Sequence, residues 1–157
     1  MSQELTSPLQ LPLHGSVLIE ASAGTGKTYT IAALYLRFIL AHLPRLTAAA
    51  SRSTPLLPAD ILVVTFTDAA TRELRDRIRA RLVEAATVFR GDVQGDDLLR
   101  ELRCDFAQTQ WDECARRLEL AAQWMDEAAV STIHGWCQRM LREHAFDSGS
   151  LFSQTLE

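Results

Sequence analysis

The chain has 157 residues, 47% of them hydrophobic and 23% charged, which is enough apolar material for one packed core and excludes a disordered chain. No stretch approaches about 20 uninterrupted apolar residues, and no basic segment leads into an apolar one at the N-terminus, so neither a membrane span nor a secretory signal is expected and the expected location is cytoplasmic. A formal charge of −4 excludes a general polyanion binder and leaves room only for local, shaped contact with nucleic acid.

Residues 1–16 are polar and proline-spotted, and the apolar run Val17-Leu18-Ile19 then breaks into a glycine-bearing stretch, which predicts a buried strand entering a glycine loop. From Thr28 to about His42 a helix is expected with almost no polar face, ended by Pro44. Residues 43–58, rich in Ala, Ser and Pro, are expected as a mobile connection. Ile61 to Phe66 reads as a second buried strand and Asp68 to Phe89 as a long helix, with Leu74, Ile78, Leu82, Ala85, Ala86 and Phe89 on one face. After a turn at 91–97, residues 98–126 predict one or two helices, so that a helical block at about 97–126 has the character of an insertion. Ala128 to Ile133 predicts a third short strand, and His134 to about His144 a last helix packing Trp136, Met140 and Leu141. Strand and helix in alternation argue for an α/β fold, a parallel sheet with right-handed crossovers and helices on its faces.

Cys104, Cys114 and Cys137 contain no C-x-x-C pair and are expected as free thiols. The four histidines do not stand with them at zinc-ligand spacing, and helix packing is the expected role of His134, Cys137 and His144. Fifteen arginines accompany a single lysine, Lys27, so one position calls for an ammonium.

That position lies in Ala21, Ser22, Ala23, Gly24, Thr25, Gly26, Lys27 and Thr28, the Walker A pattern with Ala in place of its first Gly, set between an expected strand and an expected helix. The chemistry follows from the residue types. Gly24 and Gly26 open backbone angles that let consecutive N–H groups turn inward around phosphate oxygens, and the helix start adds its positive end. Lys27 is a compact charge for the β- and γ-phosphates, and the Thr28 hydroxyl is a ligand for Mg²⁺ carried by the nucleotide, ATP. Lys27 and Thr28 are thus the candidate catalytic pair. The bland alternative is a glycine turn with an exposed lysine.

Two further strand-to-helix junctions follow. At Thr65-Phe66-Thr67-Asp68, an aromatic and hydroxyls emerge where open sheets bind ligands, so Phe66 can stack a base and Thr67 can hold a phosphate; alternatively Phe66 packs in the core and Asp68 caps the helix. At Ser131-Thr132-Ile133-His134-Gly135, Thr132 and His134 offer the same kind of contact, or else a helix cap and a hydrogen-bonded histidine. Arg72, Arg75 and Arg79 share one arc of the long helix, flanked by Arg77 and Arg81, and are either a docking face or a solvated face interleaved with Glu73, Asp76 and Glu84.

Taken in this order, Leu18-Ile-Glu-Ala-Ser-Ala-Gly-Thr-Gly-Lys-Thr, Thr65-Phe-Thr-Asp-Ala-Ala and Thr132-Ile-His-Gly-Trp-Cys resemble motifs I, Ia and Ib of UvrD-type superfamily 1 DNA helicases, in particular the branch that joins helicase to nuclease. The resemblance implies an incomplete RecA-like P-loop NTPase domain. It also implies a motor that spends ATP with Mg²⁺ to move 3′ to 5′ along DNA, in a complex with two further subunits that resects broken ends for recombination. Residues 21–28 would then hold ATP, while Phe66, Thr67, Thr132 and His134 would lie along the single strand. Asp68-Ala69 stands where the family has an asparagine-lysine pair, which removes a positive charge from the second motif.

No D-E-x-Q-D segment, second RecA-like domain or nuclease domain is found in the 157 residues, so they alone are expected not to hydrolyse ATP at a useful rate. In the P-loop fold a further strand normally pairs beside the phosphate-loop strand, so residues 17–20 are expected to present an apolar edge that drives oligomerisation, aggregation or repacking of the helical block. Two other classes remain open at this stage: a P-loop small-molecule kinase and a non-catalytic interaction module with an idle nucleotide site.

Overall fold

The computed structural model describes residues 7–20, 24, 26–42, 54–92 and 94–145. Its elements, in chain order, are α1 (Lys27–Leu40), β1 (Val63–Thr65), α2 (Asp68–Phe89), α3 (Asp97–Cys104), α4 (Trp111–Gln123), β2 (Val130–Thr132) and α5 (Ile133–Glu143). Short 3₁₀ turns at Pro8–Gln10, Pro58–Asp60, Gln108–Gln110 and Trp124–Glu127 join them.

β1 and β2 form a parallel pair, with Val63 opposite Val130 and Thr65 opposite Thr132. Parallel strands need a long crossover, and here it runs through α2, α3 and α4. The chain is therefore a mixed α/β structure with a short two-stranded sheet. On one face of the pair lie Val63 and Val130, in contact with the core, whereas Leu62 and Val64 are exposed.

Helix starts follow the side-chain chemistry. The Thr67 hydroxyl accepts the Ala70 N–H at 3.1 Å to begin α2, so the cap is Thr67 and not Asp68. α2 then buries Thr71, Leu74, Ile78, Leu82, Ala85 and Phe89 along one stripe, the spacing that the sequence shows. Opposite it, α4 buries Cys114, Ala115, Leu118, Ala121 and Ala122, whose small side chains let the two helix backbones approach, and this is the most extensive packing between any two described elements. The expected helical block is two helices, and Leu98, Leu99 and Leu102 of the first are in the core as well. α1 buries Ala32, Ala33, Tyr35, Leu36, Ile39 and Leu40, in keeping with its lack of a polar face.

Several expectations change. α5 buries none of its residues: Trp136 and Met140 are half-buried, and Leu141, His134, Cys137 and His144 are exposed, so helix packing is not the role of that cluster. The strand expected over Ile61 to Phe66 is limited to Val63–Thr65, with Leu62, Val64 and Phe66 exposed. Residues 17–20 are extended but pair with no described strand, and Val17, Leu18 and Ile19 are exposed, Leu18 by 83%. Apolar composition favours a strand only where a neighbour supplies ladder hydrogen bonds and a face to pack on, and the one described ladder belongs to β1 and β2. The helical block does not close over this segment; it packs on α1 and α2. The expected mobile connection is pinned at its end: the Leu56 N–H donates to Phe38 O at 3.1 Å, and Pro58 is buried under the Tyr35 hydroxyl, 3.5 Å from its carbonyl. Residues 43–53 of that connection lie outside the described residues.

The N-terminal turn is tied to the back of α1 by a buried polar relay. Arg37 donates from Nη1 to Pro8 O at 2.9 Å and Leu11 O at 2.7 Å, and from Nε to His42 Nδ1 at 3.0 Å. His42 Nε2 in turn meets Asp105 Oδ2 at 2.8 Å, beyond the end of α3. Cys104, Cys114 and Cys137 are free thiols, and burial pushes that of Cys114 up to about 11.

Candidate nucleotide and nucleic-acid site

The phosphate-loop pattern ends at the start of α1. Gly24 and Gly26 have φ of +79° and +85°, the left-handed region that side-chain-bearing residues disfavour, and Gly26 sits immediately before the helix. Among the described residues, apart from its chain neighbours, nothing lies within 4 Å of a Cβ built at Gly24, and its backbone angle is what calls for glycine there. Among the described residues no side chain caps α1, so the amides of its first turn are left to a ligand or solvent at the helix's positive end. Lys27 is the first helical residue and is exposed; Thr28, next to it, is half-buried. These features fit an anion held by backbone amides, with an ammonium and a hydroxyl alongside. Ala21, Ser22, Ala23 and Thr25 lie outside the described residues.

At the C-terminal ends of β1 and β2 the other two junctions come side by side. Thr132 Oγ1 accepts the Gly135 N–H at 3.1 Å to cap α5, as Thr67 caps α2, so two helix starts meet at one end of the sheet. A Cβ on Gly135 would sit 3.1 Å from Thr132 Oγ1, so glycine is what lets that cap close. Each capping hydroxyl uses an acceptor lone pair and keeps its own proton to donate. Between the helix starts is an open cleft of about 450 Å³, lined by Asp68, Arg72, Arg75, Ser131, Thr132 and Gly135 among others.

Two donors in that lining are buried and unpaired, Arg75 Nε and Ser131 Oγ. Arg75 is fixed by a 2.8 Å bond from Nη2 to Val130 O. The arginine arc therefore divides. Arg77 pairs with Glu73, Arg79 with Asp76 and Asp126, and Arg81 with Glu84 and Asp96, as a solvated face would, while Arg72 and Arg75 face the cleft. The sequence displayed them as part of a mixed run, and the signal that singles them out is their position on the first two turns after the Thr67 cap.

Phe66 is 90% exposed directly after β1, so it is not a core residue. His134, the second residue of α5, is exposed and lies 3.1 Å from Gln138 Nε2 through its own Nε2. Thr132 lines the cleft, whereas Phe66, Thr67 and His134 stand at the same end of the strands outside its lining.

The family model for the UvrD/REP helicase N-terminal domain matches residues 1–156. The chain belongs to that family. This UvrD/REP domain is 50% identical over 153 residues to RecB, a subunit of the RecBCD enzyme of Escherichia coli K12, and the match covers 98% of the chain and 12% of the relative. It is 46% identical over 158 residues to the RecB subunit of Haemophilus influenzae (96% and 12%) and 34% identical over 140 residues to that of Mycobacterium tuberculosis (88% and 12%). The UvrD/REP domain thus spans about one eighth of the length of these relatives, and it aligns with their N-terminal part. No described helix is long and apolar enough to cross a membrane.

Proposed function

We propose that the chain is the ATP-binding N-terminal segment of a RecB-like, ATP-dependent DNA helicase and exonuclease subunit. In this reading it acts at double-strand breaks in the cytoplasm with RecC and RecD as companion subunits, moving 3′ to 5′ on one strand, and its fold is the first part of a RecA-like P-loop domain. The observation that carries the reading is the pair of left-handed glycines leading into an uncapped helix whose first residue is the chain's only lysine.

Each residue then has a task. Residues 21–28 enclose the triphosphate, Lys27 sets its ammonium against the β- and γ-phosphates, and Thr28 offers its hydroxyl to Mg²⁺, which supplies charge neutralisation on the phosphates when bound. At the sheet's other junctions Phe66 stacks a base, the Thr67 and Thr132 hydroxyls donate to the strand's phosphates, and His134 stands beside them. Arg72 and Arg75 give the cleft the cationic character that a phosphodiester requires. The 157 residues alone hold no D-E-x-Q-D segment and are not expected to turn ATP over at a useful rate.

Lys27 is exposed, so Lys27→Ala is expected to leave thermal stability unchanged while weakening MgATP binding at least tenfold, roughly 1.5–3 kcal/mol for a hydrogen bond to a charged group. Isothermal titration of both proteins checks this. Equal affinity in the two would favour the reading as an interaction module with an idle site. A small-molecule kinase gives no role to the exposed Phe66 or to the paired junctions. Phe66→Ala is expected to keep stability within about 0.5 kcal/mol and to cost about 1–3 kcal/mol in binding oligo(dT), measured by fluorescence anisotropy at fixed salt. Unaltered oligo(dT) affinity would remove Phe66 from the track.

A further inference from the structure

Tyr29, the third residue of α1, extends from the first turn after the phosphate loop, and its hydroxyl donates to Asp96 Oδ2 at 3.2 Å. Arg81 of α2 donates from Nη2 to the same oxygen at 2.5 Å, and its guanidinium carbon lies 5.0 Å from the centre of the Tyr29 ring. The other carboxylate oxygen, Oδ1, accepts the Leu99 N–H at 3.0 Å and caps α3. One carboxylate thus joins the nucleotide helix, the helix that carries the cleft arginines, and the helical block.

The first turn of α1 has need of such a hold. It follows Gly26, whose left-handed angle leaves the entering chain permissive, and no side chain caps it. Among the described residues, and apart from its chain neighbours, a Cβ placed at Gly26 would meet the Tyr29 Cβ, at 3.9 Å. We propose that Asp96, gripped by Arg81, is a positioning residue for the phosphate loop, holding Tyr29 so that the amides of the first turn of α1 stay aimed at the triphosphate. The proposal rests on the nucleotide reading given above. Burial would raise the Asp96 carboxyl, but the Leu99 amide and Arg81 outweigh it and hold the carboxyl below its usual range. Burial, together with the Asp96 charge, raises Tyr29, so at neutral pH the acceptor is ionised and the phenol keeps the proton it donates. The Arg81 side chain is 11% exposed and also bonds Glu84 at 2.8 Å, which fixes the guanidinium under the ring.

Three variants separate positioning from simple support of α3. Asp96→Ser keeps a good helix cap but is too short to reach Tyr29 or Arg81; Asp96→Asn keeps the cap through its one oxygen but turns an NH2 toward Arg81 and so loses that acceptor; Tyr29→Phe keeps the ring and loses the hydroxyl. The expected result is a MgATP affinity lowered about five- to tenfold in both Asp96→Ser and Asp96→Asn and about two- to fivefold in Tyr29→Phe. In the nucleotide-free protein, hydrogen exchange over residues 27–34 is expected to quicken about tenfold in Asp96→Ser while α4 is unchanged. Unchanged exchange in that peptide overturns the proposal, as does faster exchange spread throughout the chain in Asp96→Ser, or an Asp96→Asn protein that binds MgATP like wild type. Failure of the wild-type chain to bind MgATP would instead sink the nucleotide reading, and the exchange measurement would still decide whether Asp96 holds the turn.

Discussion

Arg37→Met is expected to lower folding stability by about 3–5 kcal/mol, a large part of the roughly 5–15 kcal/mol that holds a domain of this size together. The Arg37 side chain is fully buried and its guanidinium joins three segments: the N-terminal turn through the Pro8 and Leu11 carbonyls, the end of α1 through His42, and the α3–α4 junction through the His42–Asp105 contact. Burial pushes Arg37 down to about 10, so it remains charged at neutral pH. Methionine fills much of the volume but leaves two carbonyls and an imidazole nitrogen without their donor, and unsatisfied buried groups carry the full desolvation cost. A urea titration followed by circular dichroism measures the loss; a change below about 1 kcal/mol would show that the relay contributes shape and not stability.

The relay also fixes a pH dependence. Arg37 Nε can only donate, so His42 accepts at Nδ1 and carries its proton on Nε2, toward Asp105. Burial depresses His42 and the Arg37 charge adds to this, against the opposing effect of Asp105 and Glu101. With the folded pKa below the unfolded value of about 6.5, the unfolded chain binds the extra proton first as pH falls. Stability is therefore whole above about pH 6.5 and declines as pH drops through that value. The urea midpoint is expected to stay level from pH 8 to 7, to fall toward pH 5, and to fall less in His42→Gln. Equal slopes in the two proteins would assign the decline to other groups.

How much of this could be read from the residues depends on sequence distance. α2 was legible because its 3.6-residue apolar period is a local signal, although its cap was expected at Asp68 and is Thr67; α5 was legible as a helix entered through the Thr132 hydroxyl, but the packing expected of Trp136, Met140 and Leu141 depends on neighbours that a local pattern does not reveal. The glycines of the phosphate loop were legible for the same reason: the motif constrains backbone angles within a few residues, and Gly24 and Gly26 adopt them. The Val17–Ile19 run misled because a strand is a property of a pair, and an apolar triplet says nothing about whether a neighbour is present. The Arg37–His42–Asp105 relay and the Tyr29–Asp96 contact, which bridge 63 and 67 residues respectively, have no local signature at all. Arg72 and Arg75 were visible as charges but not as lining, since which face of an alternating Arg and Glu helix meets a cleft is settled by the packing of its apolar stripe.

Leu118→Ala is expected to cost about 2–5 kcal/mol, and removal of residues 97–126 to abolish cooperative unfolding altogether. The helical block has the sequence of an insertion, but α4 is the principal neighbour of α2, and Leu99, Leu102, Leu118 and Met125 are among the most deeply buried side chains of the described structure. Buried alanines on both packed helices, Ala85 and Ala86 on α2 and Ala115, Ala121 and Ala122 on α4, have no length to extend into the space left by Leu118, which is the condition for a large cavity cost. The same support has a functional side, because α2 carries the Thr67 cap, Arg72 and Arg75 at one end and Arg81 further along, and its position depends on α4. Leu118→Ala is thus expected to weaken oligo(dT) binding only near its own melting transition, whereas Phe66→Ala weakens it at every temperature. Urea and thermal unfolding of Leu118→Ala, with oligo(dT) anisotropy recorded across the transition, check both halves. A loss under about 1 kcal/mol, or a cooperative transition in the chain lacking 97–126, would return the block to the status of a dispensable insertion and leave α2 held by α1 and the sheet alone.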